Sequence, residues 1–158
     1  MTVSVITVGT LKEGYLKDAV AEYKKRILQY AKLEEIEIKE ERIANEDDRA
    51  EIARALDAEA VKILSSIPKD AYKIALCVEG KQYSSEEMAA IVGDAEDRSG
   101  RLALVIGSSH GLSDKVKSAA DLKLSFSKLT FPHQLMRVNL YEAIYRSFTI
   151  LRGKKYHK

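Results

Sequence analysis

Apolar positions along the chain alternate between two spacings, one typical of helices and one typical of strands. Residues 15–31 and residues 52–67 repeat apolar side chains every three to four positions, the pattern of one helical face, and Pro68 ends the second segment. Short apolar runs with the length and composition of buried strands occur at Val3–Val8, Tyr72–Val78 and Leu102–Ile106. The pattern therefore predicts strands and helices that follow one another in turn.

Local signals indicate the remaining elements. Residues 33–39 alternate apolar and charged side chains and predict a half-exposed strand, whereas the acidic residues 40–48 lack periodicity and predict a loop. Ser84, with Glu87 three residues later, predicts a capping box at the start of the third helix. Near the end of the chain, the pattern predicts a short helix over 113–120, a strand over 122–127 and a last helix from Pro132, as its first residue, to about Arg152.

Five predicted strands, each followed by a predicted helix, indicate an α/β fold with a mainly parallel sheet and helices on both faces. The 158 residues contain no repeat, low-complexity tract or linker, so we expect one domain spanning 1–158. The last helix is apolar on more than one side. Because a helix that covers one face of a sheet needs a single apolar stripe, we expect this helix to be buried also against a second subunit.

Composition narrows the class of protein. Hydrophobic residues make up 46% and charged residues 32% of the chain, and no apolar run approaches the roughly 20 residues needed to cross a bilayer. The first ten residues lack the basic region of a signal peptide, and the single cysteine, Cys77, excludes an internal disulfide. We therefore expect a cytoplasmic protein with no membrane contact, in which Cys77 is a small buried hydrophobic residue.

The net charge of +2 hides a strong asymmetry along the chain. Residues 33–59 carry 11 acidic and 4 basic side chains, a net charge of −7, whereas residues 100–158 carry 11 basic and 3 acidic side chains, a net charge of +8. All three histidines also lie in the basic segment. This distribution favours an anionic partner that binds on one side of the molecule.

Three predicted strand ends have unusual sequences, and ligands of parallel α/β sheets bind at such ends. They are residues 76–80, residues 107–111 and the loop 126–131. The glycines at 107 and 111 would permit a close approach of the backbone to a ligand. Their spacing matches neither G-x-G-x-x-G nor a phosphate-binding P-loop, so a dinucleotide or ATP site is weakly supported and an ordinary strand-to-helix turn stays open.

The histidines, taken singly, have structural explanations. His133 could pack at the start of a helix, His110 could be exposed in the glycine turn, and His157 lies in a basic tail. Ser108 and His110 lack the G-x-S-x-G elbow and a clear acidic partner, which argues against a serine hydrolase. Three scattered histidines and one cysteine also lack the spacing of metal ligands, so no metal is expected.

The order of the motifs is more informative than any one of them. VIG-x-x-x-GL, LSFSKLTFPHQLMR, E-x-x-YR and a closing YHK follow one another, and together with VGTLKEGY and GKQYSSEE they resemble the RlmH family over the whole chain. This family consists of SPOUT-superfamily methyltransferases of large-subunit ribosomal RNA. The chain departs from the family pattern at Ser108, where a second glycine is usual, at the triplet 141–143, and at Lys155, where proline is common.

The resemblance implies a specific activity. Members of the family use S-adenosylmethionine to methylate N3 of pseudouridine 1915 in helix 69 of 23S rRNA, on assembled 70S ribosomes. They are homodimers with a C-terminal trefoil knot, and the tail of one protomer lies over the cofactor of the other. No metal is implied, because the sulfonium is already an activated methyl donor.

The resemblance also implies roles for individual residues. The knot loops would bind the cofactor through Leu76, Gly107 and the loop residues Phe126, Ser127, Lys128, Leu129, Thr130 and Phe131. His157 or His133 would remove the imide proton, because a neutral histidine with a reference pKa of about 6.5 is a suitable base, and Tyr156 would position the base or stack on it. The RNA phosphates would be bound by Arg137, Arg152, Lys154 and Lys155.

Two alternatives stay open at this point. A non-enzymatic ribosome- or RNA-binding protein would explain the basic segment but not the loop 126–131. A small nucleotide-binding enzyme would rest on the α/β pattern alone.

Overall fold

The computed structural model describes residues 1–157, which form five strands and five helices in the predicted alternation. The strands are β1 (Thr2–Val8), β2 (Lys32–Ile38), β3 (Tyr72–Lys81), β4 (Arg101–Ile106) and β5 (Leu122–Leu124). The helices are α1 (Gly14–Ile27), α2 (Arg49–Ser66), α3 (Ser85–Arg98), α4 (Asp114–Ala119) and α5 (His133–Leu151). The acidic residues 40–48 form the predicted loop, with neither helix nor strand.

The five strands form one sheet in the order β2-β1-β4-β3-β5, and every pair of neighbouring strands is parallel. This confirms the predicted α/β class. Because the strands are parallel, β4, β3 and β5 end side by side at one edge of the sheet. The three unusual strand ends identified in the sequence therefore become neighbours in space.

Helices cover both faces of the sheet, as predicted. On one face, α5 packs against both α1 and α3, while on the other face α2 contacts α4. Side chains alternate along each strand, so Val5 and Leu104 enter the core beneath α5, whereas Ile6 and Val105 enter the core beneath α2. None of the helices within residues 1–157 combines the length and the apolar character that a bilayer span requires.

The start of α3 confirms the predicted capping box. The Ser84 hydroxyl accepts the Glu87 backbone N–H at 3.1 Å, and the Glu87 carboxylate accepts the Ser84 backbone N–H at 2.7 Å. The two bonds satisfy backbone donors that the helix itself leaves unpaired.

Several predicted boundaries are wrong. The last strand ends at Leu124 and does not reach residue 127, because the Ser125 N–H bonds to the Lys81 carbonyl and the chain then turns. Pro132 precedes α5 as its capping residue and is not the first helical residue, since its φ and ψ are −54° and 135°. Helix α1 ends at Ile27, four residues before the predicted end. The trefoil knot stays a prediction.

Candidate functional site

A cavity of about 770 Å³ opens where β3, β4 and β5 end. Three segments surround it: residues 76–79 within β3, residues 106–112 from the last residue of β4 onward, and residues 124–133, except Lys128, from the last residue of β5 onward. Lys117 of α4 and Met136 of α5 complete the lining. The fold thus brings together the three strand ends that the sequence singled out.

The turn after β4 depends on two glycines. A Cβ atom at Gly107 would lie 2.1 Å from the Gly111 carbonyl oxygen, closer than real Cβ contacts come. The Gly111 N–H donates to the Ser108 carbonyl at 2.9 Å, and Gly111 itself has a φ of +88°. Ser108 is buried and its φ is not positive, so the turn forms without a second glycine at that position.

The wall of the cavity beside β3 is a bulge. Leu124 of β5 pairs first with Leu76 and again with Lys81, so residues 77–80 are looped out between the two pairings. Gly80 makes this possible, because a Cβ atom there would lie 2.6 Å from the Leu124 carbonyl carbon. The bulge places Cys77, Val78 and Glu79 in the cavity lining.

The loop 125–131 is held by its own small polar residues. The buried Ser125 hydroxyl donates to the Ser127 carbonyl at 3.0 Å, and the Ser127 hydroxyl accepts the Leu129 N–H at 3.0 Å. Phe126 and Phe131 are half-buried in the lining, whereas Leu129 is 72% exposed. The predicted site residues Leu76, Gly107, Phe126, Ser127, Leu129, Thr130 and Phe131 all line the cavity, and Lys128 lies outside the lining.

Few charged groups face the cavity. Among the lining residues that the structure describes, Glu79 is the one carboxylate and Lys117 the one lysine, and the two form an ion pair. The Lys117 ammonium lowers the pKa of Glu79, which stays ionised. Burial raises the pKa of the Cys77 thiol, so Cys77 stays neutral. Cys77 is half-buried, so the prediction that it is a buried residue is wrong.

Two histidines line the cavity. His133, at the start of α5, has its pKa lowered by burial, an effect that the Glu40 carboxylate partly opposes. At neutral pH, therefore, His133 is uncharged and able to accept a proton. His110 lies in the glycine turn, with Nδ1 3.4 Å from the Ser109 hydroxyl.

The structure places the two predicted tail residues outside the lining of this cavity. Tyr156 packs edge-on against Tyr145, with ring centroids 4.8 Å apart, and its hydroxyl donates to Glu142 at 3.2 Å. His157 contacts Glu86 of α3 and Arg146 of α5. Within one chain, His133 reaches the cavity while Tyr156 and His157 do not.

The four predicted RNA-binding residues have different surroundings. Arg137 is 5% exposed and donates to the Glu37 carboxylate at 2.8 Å and to the Gly9 carbonyl at 2.7 Å. Its guanidinium is thus engaged inside the chain, a placement that does not favour contact with RNA. Arg152 pairs with Glu96 at 3.0 Å, whereas Lys154 and Lys155 are exposed.

Sequence reasoning missed several lining residues. Cys77 and Glu79 lie in the strand end 76–80 that the sequence singled out, but neither residue type indicated a role in the site, so none was predicted for them. Lys117 and Met136 reach the cavity from helices, and no local pattern distinguishes them from other helical residues. Among residues 1–157, no three histidine, cysteine, aspartate or glutamate side chains are grouped as metal ligands.

Comparison with known proteins agrees with this geometry. A family model described as a predicted SPOUT methyltransferase matches residues 1–157. The chain is 48% identical over 156 residues to the ribosomal RNA large subunit methyltransferase H of Caldicellulosiruptor saccharolyticus, which covers 99% of both chains. It is also 48% identical over 159 residues to the protein of the same name from Bacillus pumilus, covering 100% of both.

Solved structures support the fold. The tRNA (m1G37) methyltransferase of Aquifex aeolicus superposes with a TM-score of 0.51 at 12% identity, covering 92% of this chain and 70% of that one. A probable methylase family protein from Haemophilus influenzae Rd KW20 superposes with a TM-score of 0.57 at 14% identity, covering 99% and 70%. At such low identity these structures show the fold alone. The family model and the sequence matches establish that the chain belongs to the RlmH family of SPOUT methyltransferases.

Proposed function

We propose that the protein is an S-adenosylmethionine-dependent methyltransferase that acts on N3 of pseudouridine 1915 in helix 69 of 23S rRNA, on assembled 70S ribosomes. Membership of the family supports methyl transfer to large-subunit ribosomal RNA. The observation that carries the proposal is the cavity formed by three neighbouring strand ends, because ligands of parallel sheets bind at such a place. A ribosomal substrate would place the protein in the cytoplasm.

The cavity residues fit the chemical parts of S-adenosylmethionine. A volume of about 770 Å³ lies within the range of roughly 300–1,000 Å³ typical of small-molecule sites. The apolar side chains of Leu76, Phe126 and Phe131 suit a flat adenine ring, and the turn at Gly107 brings backbone groups to the cavity surface. The cavity is also lined by Ser127, Leu129 and Thr130. Lys128 would contribute only through its backbone.

The proposed reaction requires alignment and removal of one proton. The bound sulfonium supplies an activated methyl group, so the chain has to hold the nucleophile in line with it and accept the N3 proton. His133 and His157 are the two candidates for the base. Burial raises the pKa of Tyr156 to about 12, so its phenol is neutral and acts as a hydrogen-bond donor or a stacking surface.

A homodimer would complete the site. Tyr156 and His157 lie away from the cavity of their own chain, so a second copy would have to bring its tail to it. Val78 and Leu129 are exposed apolar residues of the lining, and exposed Leu135 lies nearby on α5, which suits a protein interface.

Exposed Lys154 and Lys155, with Arg152, would bind the RNA backbone, while Arg137 would keep its partners within the chain.

The experiment that tests the proposal is methyl transfer from labelled S-adenosylmethionine to unmodified 70S ribosomes, with naked 23S rRNA alongside. Label on the ribosomes alone is the expected result, and its position is then mapped to N3 of pseudouridine 1915. Salt-dependent RNA binding without transfer and without cofactor binding would instead support a non-enzymatic RNA-binding protein. Competition by ATP or NAD for the cavity would support a nucleotide-binding enzyme.

A further inference from the structure

The C-terminal tail is docked against α3 and α5 of its own chain. The Tyr156 ring lies between Tyr145, at a centroid distance of 4.8 Å, and the Arg146 guanidinium, 4.9 Å from the ring centroid. The His157 ring reaches further, with Nε2 2.7 Å from the Glu86 carboxylate and Nδ1 3.1 Å from an Arg146 nitrogen. Arg146 is itself fixed by Glu142 at 2.6 Å. Aromatic and charged groups of α3 and α5 thus hold the tail against these two helices.

These contacts determine where the His157 proton lies. A guanidinium has only N–H donors, so Arg146 must donate and Nδ1 of His157 must accept. The proton of the neutral ring is then on Nε2, which donates to the Glu86 carboxylate. The lone pair of Nδ1 faces Arg146 and Nε2 carries the hydrogen. Docked in this way, neither nitrogen of His157 can accept a proton from a substrate.

The imidazole of His133, unlike that of His157, is not engaged by the neighbouring side chains that the structure describes. It lines the cavity, and no hydrogen bond within residues 1–157 occupies its imidazole. The charged groups that face it are Glu40 from the loop after β2, Lys12 from the loop after β1, and Arg137 on its own helix. A ring nitrogen of His133 is therefore free to accept a proton at the site where the methyl donor would bind.

We propose that His133 is the catalytic base. His157 is a positioning residue, and its contacts with Glu86 and Arg146 hold the tail in place. The proposal deepens the function proposed above and rests on it. The docked tail presents Tyr156 in one fixed orientation, and Glu86 and Arg146 act on the reaction only through the tail.

Variants at Glu86 and His157 separate docking from proton transfer. His157→Gln keeps a side-chain N–H for Glu86 but cannot serve as a base, so it should lower kcat on ribosomes only about threefold. His157→Ala and Glu86→Ala should each lower kcat by roughly ten- to a hundredfold, because each removes the charge-assisted hydrogen bond. The Kd for S-adenosylmethionine should stay within about twofold. The double variant Glu86→Ala/His157→Ala should be no worse than either single one.

Two further variants control for helix stability. Glu86→Gln keeps an acceptor for Nε2–H and should retain most of kcat. Asp97→Ala removes an exposed carboxylate from the same helix and should leave kcat unchanged. A His157→Gln enzyme as inactive as His157→Ala, combined with a fully active Glu86→Ala enzyme, would overturn the docking role and make His157 the base.

The pH profile tests the assignment of the base. For the wild type, kcat/KM should rise with pH along an acid limb, and His133→Gln should abolish that limb and lower kcat by roughly 10²- to 10⁴-fold. His157→Gln should keep the limb. An acid limb that survives in His133→Gln and disappears in His157→Gln would reverse the assignment.

A measurement without activity keeps this proposal separate from the proposed function. In the ¹⁵N NMR spectrum of the histidine-labelled protein, we expect His157 as the Nε2–H tautomer, and we expect the double variant Glu86→Ala/Arg146→Ala, which removes both ring contacts, to abolish that preference. A protein that fails to methylate ribosomes but shows this tautomer would refute the proposed function and not the docking. A His157 signal averaged between tautomers, in an enzyme that does methylate, would refute the docking alone.

Discussion

Gly107 and Gly14 differ in the space available for a Cβ atom. A Cβ atom at Gly107 would collide with the backbone of Gly111, whereas at Gly14, the first residue of α1, nothing lies within 4 Å of it. Gly107 is therefore fixed by the close approach of two backbone segments. Gly14 carries no such constraint.

Alanine substitutions at the two glycines test this difference in available space. Gly107→Ala should force the turn 107–111 apart, lowering the free energy of unfolding by about 2 kcal/mol and weakening S-adenosylmethionine binding at least tenfold. Gly14→Ala is the matched control and should leave both quantities unchanged or slightly improve stability. Urea unfolding and calorimetric titration measure the two effects. Normal cofactor binding by Gly107→Ala would show that the turn adapts to the methyl group.

Glu59 gives a second prediction at the scale of one residue. It is 2% exposed on α2, accepts the Glu41 N–H at 3.0 Å, and has its pKa raised by burial. A raised pKa means that the folded protein binds the proton more tightly, so stability is lost as pH rises through that pKa. Glu59→Gln keeps an acceptor without the charge and should stabilise the protein by about 1 kcal/mol at pH 7.

The measurement for Glu59 is urea unfolding at pH 4.5 and pH 7. The gain from Glu59→Gln should be larger at pH 7, where a larger fraction of the wild-type carboxylate is ionised, than at pH 4.5. Glu46→Gln, at an exposed position of the same acidic segment, is the control and should show no such difference. An equal gain at both pH values would exclude the ionisation of Glu59 as the cause.

At the scale of elements, the buried Arg137 ties α5 to the ends of two strands. Its bonds to Glu37, on β2, and to the Gly9 carbonyl, just after β1, join residues more than 90 positions apart in the chain. Arg137→Met should leave the Gly9 carbonyl without this donor and lower the free energy of unfolding by about 2 kcal/mol. Arg26→Met, which removes an exposed i,i+4 pair with Glu22, should change it little.

Unfolding of the two arginine variants in urea checks this prediction. Similar small losses for both would mean that water replaces the partners of Arg137. A loss confined to Arg137→Met would show that the buried contacts of Arg137 with Glu37 and the Gly9 carbonyl stabilise the fold.

Helices and strands defined by local signals were predicted well, and those defined by distant contacts were not. The capping box of Ser84 and Glu87 lies within four residues, so the start of α3 could be predicted from the local sequence alone. The end of β5 depends on Lys81, and the docking of His157 depends on Glu86, both far away in sequence. The burial of Arg137 likewise depends on the distant Glu37, whereas the predicted RNA contact of Arg137 came from the family resemblance and the basic segment.

At the cavity, too, features that depend on local sequence were predicted and features that depend on distant contacts were not. Its three lining segments were predicted because each follows a recognisable strand, and parallel strands end together. The identity of the cofactor and substrate came from the resemblance of whole motifs to a family. The ion pair of Lys117 with Glu79 depends on how α4 packs against the bulge of β3, which no local pattern encodes.

At the scale of the whole molecule, the proposed dimer yields a fourth prediction. Leu135 in the first turn of α5 is 38% exposed, and a glutamate there favours the helix N-terminus, so the monomer should fold normally. Leu135→Glu should shift the protein to monomers in analytical ultracentrifugation and abolish methyl transfer. Val61→Glu, on α2 at the other face of the sheet, should stay dimeric and active. A dimeric Leu135→Glu protein would place the interface elsewhere.

The packing of α5 has a consequence for synthesis of the chain. Phe148 is fully buried and stacks on Tyr30 of the segment after α1, with ring centroids 5.8 Å apart, while β1 lies in the sheet next to β4. Part of the apolar surface of the first fifty residues is thus covered by α5, which is translated after the five strands and the other four helices. A growing chain leaves that part exposed until α5 has been synthesised.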